Sequence, residues 1–274
     1  MTQSISGQDV LESLTDFEAV KEKIGCRLVN AERNADILTG RPHTMVDDLA
    51  VTYHIDLGKS ERVNMSTAVT NSLMERYGIS TGQLHEVALS NMTTLSPPSF
   101  KGMSETMADL LLPEMEAMSL DGISVEEATE TFKSMFSQEQ ETMYVLSNKD
   151  KLHGAAALLD TRVMDDITKR VGTEYFILPS SIHEVLIVPK TEQLDLKSLE
   201  SMVRDVNATQ VSPEERLSDH VYAYDAKEHR LFRADKEAER SMDKKPSINE
   251  ALKGPLPETG SHAVKPPVAG DDAR

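Results

Sequence analysis

The stretch YFILPSSIHEVLIVP, Tyr175 to Pro189, constrains the fold more than any other part of the chain. Its two apolar runs, Tyr175 to Leu178 and Val185 to Val188, show no polar alternation. Short runs of this kind, bounded by turn residues, read as strands covered on both faces. The chain is therefore expected to build a layered sheet with this hairpin at its centre. Between the runs, Pro179 fixes one dihedral and Ser180 and Ser181 can satisfy free backbone groups, as hairpin turns require. His183 and Glu184 are expected to open the return strand on opposite faces.

The flanking segments supply further strands and helices. Thr15 and Glu18 have capping-box spacing, and Val20 and Ile24 continue an apolar stripe to Gly25, which predicts an N-terminal helix starting as early as Ser6. DDLAVTYHIDL and RVNMSTAV read as strands around the turn former Gly58, followed by a helix in NSLMERYG. Ser80 and Gln83 frame a second capping box, with Leu84, Val87 and Ala88 on the buried face, and Pro97 and Pro98 end that unit. From Ser99 to Glu141 runs a methionine-rich acidic stretch, read as a helical connector, in which Ser124 and Glu127 cap a helix bearing Val125, Ala128, Phe132 and Met135. MYVLSN and GAAALL are expected to be strands. Asp160 then caps a helix with Val163, Met164, Ile167 and Val171 inward and Gly172 at its stop. Asp195 starts another with Leu199, Met202, Val203 and Val206, and Ser212, Pro213 and Glu215 give a helical turn. HVYAYD and HRLF close the sheet as a last hairpin, with His220, Tyr222 and Tyr224 alternating as on an edge strand.

These elements predict an α+β fold. Two similar small sheet-and-helix lobes, 1–98 and 142–234, are joined by the helical connector 99–141. From 235 to 274 the chain mixes charge, proline and small residues with almost no apolar bulk, and is expected to be a disordered tail. The tail carries 7 basic and 8 acidic residues, so nearly all of the net charge of -17 falls on the preceding chain. Such a field repels phosphate polymers and disfavours nucleic-acid partners, unless carboxylates cluster into a face that imitates nucleic acid. Cys26 is the only cysteine, so no disulfide framework and no thiolate metal site is expected. The N-terminus reads as no signal peptide, and no apolar run reaches the roughly 20 residues of a membrane span. A cytoplasmic location follows as the expectation.

Few residues nominate themselves for chemistry. Ser181 and His183, with Asp219 or Glu184 as orienting acid, are the parts of a nucleophile relay, although no G-x-S-x-G elbow frames the serine. HEVAL at His85 and HEVLI at His183 begin like a zinc-protease helix, but Leu89 and Ile187 stand where the second histidine is needed. His43, Asp47 and Asp48 offer metal-ligand types, with a turn into a strand as the simpler account. Asn148, Lys149, Lys151 and His153 form a polar loop with anion-binding residue types, and Asn148, Lys149, Ser180 and His183 are the binding candidates. Neither a P-loop nor a dinucleotide fingerprint is present, and no cofactor is expected.

RLVNAERNADIL, PHTMVDDLAVTYHI, YGISTGQLHEVAL, MYVLSNKDKLHGAAALL, FILPSSIHEVLIVP and VNATQVSPEERLSDHVYAYD, in this order, resemble an uncharacterised bacterial family, domain of unknown function 5688. The resemblance covers most of Arg27 to Asp225 and implies no activity. The functional expectation is an acidic interaction or regulatory module that binds a protein partner through the connector and tail. A hydrolase using Ser181 and His183 is the alternative.

Overall fold

The computed structural model describes residues 13–59, 64–117, 141–172 and 174–237. The fold is α+β, built on two antiparallel sheets. The first has four strands: β1 (Ile24–Asn30), β2 (His43–Val46), β3 (Leu49–Lys59) and β4 (Asn64–Ala68), with β3 pairing all three others. The second has six, in the order β10 (Arg230–Arg233), β9 (Tyr222–Asp225), β7 (Tyr175–Leu178), β8 (Val185–Pro189), β6 (Tyr144–Asn148), β5 (Pro98–Gly102).

The hairpin at 175–189 is central, as its apolar runs require. Side chains alternate between two covered faces. Phe176, Leu178, Val188, Val221, Ala223 and Phe232 pack against Leu199 and Val203 of helix α7 (Leu196–Thr209). Tyr175, Ile177, Val185, Ile187, Tyr222 and Tyr224 face the other way. There they join a core that includes Met164 and Ile167 of helix α6 (Thr161–Val171) and the inner faces of the first sheet and of helix α4 (Thr81–Leu95). One apolar cluster thus runs through both sheets.

Helix starts follow capping chemistry. Ser80 and Gln83 form the reciprocal capping box of α4, Asp160 caps α6 and Asp195 caps α7. Helix α3 (Asn71–Tyr77) ends on Gly78 in the left-handed region (φ 63°), where a side chain would be strained. Helix α5 (Met103–Ala117) borrows its cap from far along the chain: Glu141 accepts from Met103 N (3.1 Å) and Ser104 N (3.2 Å). Gly102 makes that possible, since a Cβ there would stand 2.5 Å from the Glu141 carboxylate.

Several expectations are corrected. Helix α1 (Phe17–Val20) follows a helical turn that ends at Leu14 and is capped by Asp16 rather than Thr15, and Gly25 stops no helix. Ile24 and Gly25 open strand β1, which pairs with β3 from Ile24 opposite Ile55 to Asn30 opposite Leu49. Tertiary pairing overrides the helical spacing of Val20 and Ile24 there. GAAALL is a 3-10 turn (Gly154–Leu159), not a strand, because its small residues tuck under the second sheet where a strand has no partner. Pro98 opens strand β5 instead of ending a unit, as an edge strand allows. β9 is buried on both faces and the edge is β10. The return strand begins at Val185, so His183 and Glu184 belong to the turn. Ala234–Lys236 is a 3-10 turn that spans position 235, the expected start of the tail. The helix expected at Ser124, the start near Ser6 and the tail beyond Glu237 lie outside the described residues. A short helix α2 (Ala35–Leu38) precedes β2. Among the described residues, no helix is long and apolar enough to cross a membrane.

Candidate functional site

The turn that joins β7 to β8 consumes its own polar groups. Ser181 N donates to Glu184 O (3.2 Å) and Ile182 N to Glu215 O (2.8 Å). Ser181 Oγ accepts from His183 N at 3.0 Å. His183 Nδ1 faces the His153 backbone N–H at 3.1 Å, so that nitrogen is the acceptor and the ring proton sits on Nε2. Nε2 in turn donates to Glu215 Oε1 at 3.2 Å. The hydroxyl of Ser212, and then His183, hold the Glu215 carboxyl below the usual range. Both imidazole nitrogens are therefore engaged, and neither with Ser181. Asp219 bonds elsewhere, accepting from Asn207 Nδ2 at 2.8 Å and standing 3.8 Å from Arg33. Ser181, His183 and Asp219 do not form a hydrogen-bonded relay.

The remaining candidates are staples. Asn148, buried, donates to Ser96 Oγ (2.6 Å) and Leu152 O (2.7 Å) and accepts from Leu152 N (3.1 Å), which shapes the 148–152 turn. Lys149 is exposed, with its backbone N–H on Pro97 O. Ser180 borders an apolar groove of Leu178, Pro179, Leu186, Met202 and Val206. Asp48 accepts from Ser218 Oγ and from the Tyr222 hydroxyl, Asp47 accepts from Arg233 N, and His43 Nδ1 sits on Arg41 O. They fasten the β2–β3 turn to the C-terminal hairpin and hold no common point with His43. His85 meets the Tyr53 hydroxyl at 3.0 Å. Glu200, His220 and Asp235 bring metal-ligand atoms within 4.8 Å of one another. Their carboxylates already face arginines, Asp235 in a two-point pair with Arg233 and Glu200 3.7 Å from Arg204.

A different place holds unspent polar capacity. A cleft opens between the first sheet and the 148–153 turn, lined among others by Arg27, His54, Asp56, Ser66, Asp150 and His153. Strand register builds its floor: Gly25 lies opposite His54, Arg27 opposite Thr52 and Asp56 opposite Ser66, all on one face. Gly25 is needed because a Cβ there would meet His54 Cε1 at 2.8 Å. From the other wall comes His153, held with φ 55° in the left-handed region that non-glycine residues seldom adopt. Gly154 lets the turn seat itself, since a Cβ would stand 2.3 Å from Ser147 Oγ and 2.5 Å from His183 O.

Arg27 is partly buried and offers five N–H donors. Among the described residues it makes one side-chain hydrogen bond, from Nη2 to Ser66 Oγ at 2.7 Å, and no ion pair. Burial and Arg41 hold its pKa below the ordinary value. Burial, then Arg27, pushes His54 down to about 4, and the same two causes push His153 down to about 4. Both rings are neutral at pH 7, and the Nδ1 atom of each is buried without a hydrogen-bond partner. Cys26 lines the same cleft with its thiol pushed up to about 12 by burial, so it is an inert neutral group. Chemically the arrangement can receive acceptor atoms at Arg27 and exchange protons at two imidazoles. The sequence places His153 in a polar loop and offers His54 only as one of several scattered histidines that different strands could bring together; Arg27 went unnoticed, and the available signal was a glycine inside a strand.

Residues 2–226 match the model of a protein family described as a family of unknown function (DUF5688). No curated protein and no solved structure matches the chain significantly.

Proposed function

The chain belongs to this family of unknown function, and from its own residues we propose that it is a binding or regulatory module whose receptor site is the cleft at Arg27, His54 and His153. One observation carries the reading. Arg27, with a single hydrogen bond and no ion pair among the described residues, lies beside two imidazole nitrogens that have no partner. A buried polar atom without a partner is costly, and a ligand that supplies one repays the cost. The Ser181 turn, where every ring nitrogen is engaged, supports the hydrolase alternative with no comparable feature.

A panel of small metabolites screened by thermal unfolding tests the reading. At least one compound is expected to raise the melting temperature of the native chain but not of Arg27→Met. A panel that shifts both proteins equally, or neither, overturns it.

The second part of the reading is a protein partner. Its support is the exposure of Met107 and Leu110 on α5, the described part of the methionine-rich stretch. Cross-linking in native lysate is expected to join a discrete partner to the native chain and not to a Met107→Glu, Leu110→Glu variant. Equal cross-linking of both removes this part. The lone buried thiol of Cys26 supports a reducing, cytoplasmic setting.

A further inference from the structure

We infer that the cleft floor is a site for a hydrogen-bearing oxyanion, inorganic phosphate or the phosphate end of a small phosphomonoester, gripped by Arg27 and taken up together with a proton. The inference deepens the binding reading above and rests on it. A guanidinium fork matches the paired oxygens of an oxyanion, and Arg27 has donors to spare, while the other basic residues lining the cleft, His54 and His153, are neutral at pH 7. Ser66 Oγ, already bonded to Arg27 at 2.7 Å, places a hydroxyl beside the same point.

The acids of the cleft narrow the ligand. Asp56 lines it and spends Oδ1 on Gly58 N at 2.7 Å, and Asp150 lines it as well. A carboxylate next to the arginine repels an oxyanion that carries no proton, and accepts the O–H of one that does. Inorganic phosphate keeps an O–H in both forms present at neutral pH, and a phosphomonoester gains one as pH falls through its second pKa of about 6; sulfate lacks it.

The histidines add a proton linkage. His54 faces Arg27, His153 and Asp56; His153 faces Arg27, His183 and Glu215. In the chain by itself these surroundings keep both rings neutral. An anion on Arg27 offsets the guanidinium charge and gives an orphan Nδ1 an acceptor, so protonating one ring becomes favourable. Binding should draw a proton from solution, and affinity should rise as pH falls from 7.5 to 5.5.

Calorimetry with the full chain tests this, using inorganic phosphate and methyl phosphate as probes and sulfate as the contrast. Two buffers of different ionisation enthalpy read proton uptake. Phosphate or methyl phosphate is expected to bind with uptake of part of a proton, and sulfate at least tenfold more weakly. Arg27→Met is expected to weaken binding at least tenfold. Ser66→Ala, at an exposed position and safe for folding, should weaken it a few-fold. Equal binding of sulfate, or unchanged binding in both variants, overturns the inference. If no phosphate binds while a panel compound still perturbs the Ser66 and His153 amides in NMR spectra, the oxyanion falls and the binding module stands. If nothing perturbs those amides, both fall.

Discussion

His183 and His54 sit in adjoining regions and teach opposite lessons. In the 178–184 turn, Ser181 Oγ is held by His183 N and both His183 ring nitrogens are engaged, by His153 N and Glu215, so the sequence cluster of Ser181, His183 and Glu184 resolves into a folded turn. In the cleft, residues far apart in the chain meet with capacity left over: Arg27 on β1, His54 on β3, His153 after β6. The turn is satisfied by partners from other segments as well as from within, since His183 reaches His153 N and Glu215 and Ile182 N reaches Glu215 O. In the cleft, strand register leaves Arg27, His54 and His153 with polar atoms to spare.

Gly154 is where the two regions touch, and it gives the strongest way to break the contrast. A Cβ there would meet Ser147 Oγ at 2.3 Å, His183 O at 2.5 Å and Asn148 N at 2.6 Å, two of them backbone atoms. Backbone cannot swing aside, so Gly154→Ala is expected to cost about 3 kcal/mol in chemical denaturation and to disturb both regions at once. A variant as stable as the native chain would mean the turn and the cleft are seated independently.

The next effect separates the regions by acid. His54 and His153 have folded pKa values of about 4 against an ordinary 6.5. The unfolded chain therefore takes up protons at higher pH than the folded one. Stability from these neutral rings is complete above about pH 6.5, declines as pH falls toward 4, and is level below that. His54 accounts for about 3 kcal/mol of the loss at most, and His153 for less because it is partly exposed. Denaturation midpoints measured from pH 7.5 to 4 in native chain and His54→Gln check it. The variant should lose roughly half the slope; an unchanged slope would place the acid sensitivity outside the cleft.

How much of this was legible in the sequence depends on the reach of each signal. Local chemistry read true: the Ser80–Gln83 box, Asp160, Asp195, Gly78 and the doubly covered hairpin all act within a few residues. Long-range pairing did not. Ile24 and Gly25 looked like a helix end because their partner, β3, lies some 25 residues away, and GAAALL looked like a strand because apolar runs carry no sign of their period. The site was legible on one wall only, at Asn148 and His153. Arg27 and His54 share a face through the β1–β3 register, which no single segment states.

Gly25→Ala sharpens the contrast with little effect on stability. The added methyl meets the imidazole of His54 at 2.8 Å, the far end of a side chain rather than backbone. His54 can rotate away, so the expected cost is about 1 kcal/mol or less. Ligand binding in the cleft should suffer much more than folding. Loss of stability without loss of binding would show that the glycine serves the strand and not the site.

The smallest expected effect tests the other side of the comparison. Ser181 is buried, and its Oγ accepts from His183 N at 3.0 Å. Ser181→Ala removes one neutral hydrogen bond and leaves one backbone donor to find water, a loss of about 1 kcal/mol. If the turn is scaffold, this variant keeps full affinity for any cleft ligand, and a fluorophosphonate probe labels neither it nor the native chain. Were Ser181 a nucleophile, the imidazole would have to leave Glu215 or the His153 N–H to accept the hydroxyl proton. Each move breaks a bond already made. Labelling of the native chain that vanishes in Ser181→Ala would mean the turn pays that cost, and the distinction between a spent region and an unspent one would fail.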